Sequence, residues 1–273
     1  MSESKNIPLE QVLANALMKS SFGPKLESHI ALSLAASESR QQLAKTVQEP
    51  VRDLQKAFAD LIADMVSAFA KLPGELRPAM RSLVGLGWFP SGEMGFSEIH
   101  AFRQACDAGN KVAVDQAMVD WLRTEMPEIR KRLSNRFPLR HQILDAAFAA
   151  HESAKYELSI PVFLAQVEGM CLEVLGTKLF STKSGVPVTR ESTEALSRME
   201  LSEVLLLPLR ELHGLTASKA SRGNWPDAPN RHEILHGIST DYATPINSYK
   251  AISLLEYFCT FVAPRLDADW PRI

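Results

Sequence analysis

Residues 136–176 read RFPLRHQILDAAFAAHESAKYELSIPVFLAQVEGMCLEVLG. After Pro138, Ile143, Leu144, Ala147, Phe148 and His151 recur at three and four along one side of a helix. A few residues on, Ser159 stands as an N-cap, with Pro161 in the first turn of a second helix. The apolar face of that helix is Phe163, Leu164, Val167, Cys171, Val174 and Leu175. So short a connection makes the two helices antiparallel neighbours.

The rest of the chain extends this pattern without adding strands. Residues 50–74 carry Val51, Leu54, Phe58, Leu61, Ile62, Met65 and Phe69 at helical spacing, with Pro50 at the start and Pro73-Gly74 as a stop. Residues 9–20 and 25–44 also favour helix. Further helices are expected from LRPAMRSLVGLG (76–87), FSEIHAFRQACDAG (96–109) and KVAVDQAMVDWLRTEM (111–126). Between the first two lies the turn-rich GWFPSGEMG, in which Trp88 and Phe89 read as a core anchor. No alternating Val/Ile/Thr-rich stretch of useful length occurs, so the fold class is all-α.

At about 150 residues per domain, the 273 residues suggest two parts. The texture changes near residue 135. We expect a helical N-terminal region over 1–134, of unknown role, and a C-terminal unit over 135–273. In the second part, residues 177–227 form a Ser/Thr/Gly-rich insertion interrupted by SEVLLLPLRELHG. A closing helix from NSYKAISLLEYFCTFVAPRL is capped near Asn247, with Ile252, Leu255, Cys259 and Val262 as its core stripe. Two long helices, the insertion, a short helix and this closing helix form a four-helix unit.

Thirty Lys and Arg against 32 Asp and Glu give a formal charge of −2, so no whole-molecule field draws the protein to nucleic acid or to a membrane. A polyanion site has to be local. The segment EIRKRLSNRFPLRH offers one, with Arg130, Lys131, Arg132, Arg136 and Arg140 as an RNA-backbone track; a solvated face between the two halves explains the same residues equally well. Cys106, Cys171 and Cys259 are widely spaced in apolar surroundings and read as reduced core thiols. With no signal-like start and no uninterrupted apolar run of 18 residues, the expectation is a cytoplasmic protein without a membrane partner.

Residues 230–237, NRHEILHG, carry the chemistry, and they admit two readings. His232, Glu233 and His236 spell H-E-x-x-H, in which two imidazoles four apart share a helix face and reach one Zn²⁺ while the glutamate serves as general base. A third ligand is then needed. Ser239 and Tyr242 stand where the metzincin pattern wants Gly and His, which leaves Glu256 as the candidate. The context is unlike a zinc peptidase, because NWPDAPN forces a helix start directly before the motif.

The second reading uses Arg231 and His236 without metal or other cofactor. Arg supplies a planar, permanently charged fork suited to phosphate oxygens, and His is the side chain that exchanges protons near neutral pH. A helix N-terminus adds free N–H groups and a positive dipole end. At these residues the chain resembles the HEPN superfamily, whose signature is Arg, a polar residue, three variable residues and His at the start of the third helix of a helical bundle. Arg231, His232, Glu233-Ile234-Leu235 and His236 match every position. The flanks IPVFLAQVEGM and NSYKAISLLEYF are similar to a bacterial branch of that superfamily, and the resemblance covers about residues 135–265. The insertion is longer than in minimal members.

The resemblance implies a metal-independent endoribonuclease that acts as a homodimer, spares DNA and leaves cyclic-phosphate ends. His236 would be the general base or acid, Arg231 the stabiliser of charge on phosphorus, and His232 an orienting or phosphate-contacting group. Such proteins often serve as toxins or antiphage effectors, and some members bind nucleotides or partners without cutting. Asn230 and Glu168 are supporting candidates, the latter as a partner for Arg231 or His236 or as a boundary residue of its helix. His29, His100, His141, His151 and His213 have no ligand spacing and read as structural.

Overall fold

The computed structural model describes residues 35–36, 39, 56–60, 63, 71–194, 196, 200–217 and 221–263. The chain divides into two compact units, Met1–Ala68 and Phe69–Ile273. In the first, residues 56–60 are helical, within the amphipathic run expected there. The helix expected at 9–20, most of that at 25–44, and His29 lie outside the described residues.

The second unit is all-α. Helix accounts for 71% of the described residues, and the strands among them are two residues long. Residues 71–85 form helix α1, which contains the Pro73-Gly74 pair expected to end a helix. Its Leu76, Ala79, Met80, Leu83 and Val84 make a buried stripe, and burial of such a stripe outweighs weak local propensity. Trp88 and Phe89 follow as the anchor that the sequence suggests, 0% and 1% exposed. Next come α2 (Phe96–Asp107) and α3 (Lys111–Arg136), the latter capped by the Asn110 side chain, which accepts from the Ala113 N–H.

Helix α3 runs through Pro127 and past residue 134, where the sequence suggests a division, while the two compact units meet after Ala68. Val114, Met118 and Leu122 continue into Ile129 and Leu133, all buried, and one uninterrupted stripe carries the helix across the proline.

The helical hairpin is present as α4 (His141–Glu152) and α5 (Tyr156–Leu175), packed together with the Phe148 and Phe163 rings 5.0 Å apart. The N-cap of α5 is Lys155, one turn earlier than expected. Ser159 sits inside the helix, fully buried, and shares a hydrogen bond with Ser248 at 3.1 Å; Ser248 in turn meets His151 Nδ1 at 2.8 Å. A buried hydroxyl needs a partner, and this trio ties α4 and α5 to the last helix. Helix α5 is long and apolar enough to cross a membrane, yet its Ile160, Phe163, Leu164, Val167, Met170 and Cys171 are buried against protein. Leu158 and Leu172, on its other side, are 55% and 50% exposed, and Ile143, expected on the core face of α4, is 49% exposed.

The described residues of the segment 177–227 contribute Leu179, Phe180, Val204, Leu206, Leu209 and Leu215 to the core, despite its polar composition. A hairpin of β1 (Thr182–Lys183) and β2 (Val186–Pro187) leads into α6 (Thr189–Glu194), α7 (Glu200–Leu205) and α8 (Leu207–Arg210). Val204–Leu209 are buried, and Leu205 O accepts from Tyr257 Oη at 2.8 Å. The motif helix α9 (Arg231–Leu235) and α10 (Pro245–Tyr257) follow, with a π-turn over Phe258–Val262. Thr244, not Asn247, caps α10: its Oγ1 accepts the Asn247 N–H. From Ala251 to Cys259 every residue of this last helix is buried, so it is the central element and not an amphipathic one.

Cys171 and Cys259 are free and buried, and burial pushes both thiols up to about 12, as inert core residues require. His213 lies edge-on to Phe89 at 5.3 Å, and its Nε2 donates to Pro208 O. Burial pushes its pKa down to about 4, so the folded protein holds it neutral while the unfolded chain protonates near 6.5. Stability from this residue is therefore present above pH 6.5 and lost as pH falls towards 4, by about 3 kcal/mol. In urea unfolding across that window, His213→Gln should lose less stability than wild type; equal losses would assign the acid sensitivity to other groups.

Candidate active site around Arg231, His232 and His236

The motif is held by its own preceding loop. Asn230, 3% exposed, accepts the Glu233 N–H through Oδ1 and caps α9, while its Nδ2 donates to Gly214 O at 3.1 Å and Ala217 O at 2.9 Å. Gly214 has to be glycine, since a Cβ there would overlap the Ala228 methyl and press on Trp225. Lys250, buried at 3%, donates from Nζ to Asp227 O at 2.7 Å and lies over the Trp88 ring, and Lys111 pairs with the Asp227 carboxylate. Arg222 joins Ala228 O and, at 2.7 Å, the Glu233 carboxylate. The insertion therefore builds the seat of the motif.

Helix α9 is five residues, little more than one turn. Arg231 opens it, and His236 is its C-cap, so the two residues sit at opposite ends and not together at a positively polarised tip. Gly237, at φ +65°, ends the helix in the left-handed conformation that glycine accepts without strain. One turn brings His232 and His236 side by side, with ring centroids 4.4 Å apart, and both are exposed. Among the described residues no hydrogen bond joins Arg231 to His236, and no carboxylate pairs with Arg231. Its Cζ instead lies 5.1 Å from the centre of the Phe180 ring, and its Nε is sealed from solvent without a partner.

Phe180 was not legible as a site residue in the sequence. It ends a turn after Gly176, in a segment with no periodicity. Glu168, read from the sequence as a partner for Arg231 or His236 or as a boundary residue of its helix, connects to the motif indirectly: its Oε2 accepts the Phe180 N–H at 3.0 Å.

The zinc arrangement lacks its other members. Glu233 is engaged with Arg222, and Glu256 is fully buried against Arg132 at 2.7 Å and Ser91 at 3.0 Å. Among the described residues no three His, Cys, Asp or Glu side chains come together in a way that would hold a metal.

The cations of the basic segment have partners within the protein. Arg130 pairs with Asp145 and Glu152, Lys131 with Glu128, Arg132 with Glu256 and Arg140 with Glu173, while Arg136 donates to Ala263 O. Four of these six partners come from other helices, which charge counting along the chain cannot register. The segment is the C-terminal part of α3 and its turn into α4.

Compared with known proteins, the chain matches no family model, and neither a curated protein nor a solved structure is found similar to it.

Proposed function

We propose that the protein is a metal-independent endoribonuclease of HEPN type. One observation carries the reading: a half-buried arginine, with no carboxylate partner among the described residues, shares one short helix and its cap with two adjacent, exposed imidazoles. An uncompensated guanidinium attracts phosphate, and imidazole moves protons. His236 removes the proton of the ribose 2′-hydroxyl, whose oxygen attacks phosphorus as the bond to the 5′-oxygen breaks. An imidazolium returns a proton to that leaving oxygen. Arg231 offsets the charge growing on the phosphoryl oxygens, and His232 contacts the phosphate. The products are a 2′,3′-cyclic phosphate and a 5′-hydroxyl, and DNA, which lacks the nucleophile, is spared.

In this reading α4, α5, α9 and α10 are the four-helix HEPN unit, and the enzyme acts as a homodimer in the cytoplasm as a toxin or defence effector. Leu139, Ile143, Leu158 and Leu172, 94%, 49%, 55% and 50% exposed, support an assembly, since apolar surface on α4, α5 and the turn before them is stabilised by being covered.

A second reading, a nucleotide- or partner-binding module with a silent dyad, draws support from the Arg231 side chain lying on Phe180 instead of beside His236. One experiment separates the two. Purified protein is incubated with mixed RNA in chelator, and with DNA of matching sequence. Cleavage of RNA alone, with cyclic-phosphate ends, is expected; RNA that is retained but intact selects the module, and cleavage that needs added metal overturns the proposal.

A further inference from the structure

We propose that Phe180 is the positioning residue for Arg231 and that Glu168 fixes Phe180: a carboxylate, a backbone N–H and an aromatic face, in that order, hold the guanidinium at the candidate site. For its catalytic consequence, though not for its geometry, the proposal rests on the ribonuclease reading.

Most of the described arginines in this unit are held by carboxylates. Arg222 has Glu233, Arg132 has Glu256 and Arg140 has Glu173. Each of those charges is already compensated, and a phosphate would have to displace an anion to use it. Arg231 is held differently. Its Cζ stands 5.1 Å from the Phe180 centroid, within the range at which a cation is attracted to a ring face. The ring orients the plane of the fork without neutralising it. Nε is sealed without a partner, while the side chain as a whole is half-buried and not enclosed.

Phe180 belongs to no helix, so something has to place it. Gly176 ends α5 in the left-handed conformation, φ +68°, and the chain then turns back. The Phe180 N–H donates to Glu168 Oε2, two turns before the end of α5, at 3.0 Å. That bond sets the backbone, and the ring follows into a site where it is 9% exposed. Glu168 is thereby remote from the reacting atoms and yet decides where the guanidinium lies.

The test uses the full-length protein and four variants. Phe180→Leu keeps apolar bulk and removes the face, Phe180→Tyr restores the face, Glu168→Ala removes the acceptor and Glu168→Gln retains one. The first readout is the Arg231 Nε–Hε NMR signal, assigned by its loss in Arg231→Lys. It should be shifted by the Phe180 ring in wild type, Phe180→Tyr and Glu168→Gln, and should move to the solvent position in Phe180→Leu and Glu168→Ala. The second is RNA cleavage: kcat should fall about tenfold in Phe180→Leu, with KM and melting temperature changing little, and return in Phe180→Tyr. A signal that stays put in Phe180→Leu, or an unchanged kcat in that variant of an active enzyme, overturns the positioning role. If wild type cleaves no RNA but the signal responds as described, the ribonuclease reading fails and the positioning role stands.

Discussion

His236→Ala should lower RNA cleavage about 10²–10⁴-fold, the usual contribution of a positioned acid or base, and leave the fold intact. Structural neutrality follows from its surroundings: the ring is exposed and lies 4.4 Å from the equally exposed His232 ring. Arg231→Ala should act on the same scale, because it removes the cation that offsets transition-state charge. The two losses should fall short of adding in the double variant, since groups that serve one transition state are not independent. His232→Ala should cost less than either. The measurement is single-turnover cleavage of a defined RNA, with melting temperature recorded for each variant. Full activity in both His236→Ala and Arg231→Ala, from clean preparations, would sink the ribonuclease assignment.

The second large effect concerns stability. Arg132→Ala leaves Glu256 buried at 0% exposure, with Oε1 held by Ser91 alone and Oε2 without a partner. Removing one member of a buried ion pair costs about 3–5 kcal/mol, a large share of the roughly 5–15 kcal/mol by which domains are stable. Burial already holds the Glu256 carboxyl above its ordinary value of 4.5, and Arg132 pulls it back down. Without the arginine that opposition is gone. A group whose folded pKa is raised gives stability that is complete below its unfolded value and lost as pH rises through the folded one. The deficit of Arg132→Ala should therefore be small near pH 4.5 and grow towards neutrality. Adding Glu256→Gln should recover most of it. Urea unfolding of wild type, single and double variants across that range checks the prediction, and a deficit that does not vary with pH would show that packing, not charge, governs this site.

Local pattern was enough for some features. The helical class, the α4–α5 hairpin, the Trp88-Phe89 anchor, the helix start after Asn230 and the pairing of His232 with His236 all follow from spacing, capping and turn residues within a few positions of one another. Each depends on interactions the chain makes with its near neighbours, so the order of residues suffices. Helix ends were less legible. Ser159 and Asn247 looked like caps and are interior, because the burial of whole stripes shifts a boundary by a turn.

What the tertiary structure alone decided is where charge and aromatic surface end up. Arg130, Arg132 and Arg140 form a cationic run in sequence and lose that character when Asp145, Glu152, Glu173 and Glu256 arrive from other helices. Arg231 keeps its charge uncompensated because folding brings it a ring instead of a carboxylate, from a residue 51 positions away in a stretch that carries no pattern of its own. Polar insertion residues become the seat of the motif for the same reason: Gly214 and Ala217 offer Asn230 their carbonyls only once the chain has folded back on itself. Periodicity reports which face of a helix is apolar. The packing of helices against each other determines which charges remain open to an anion.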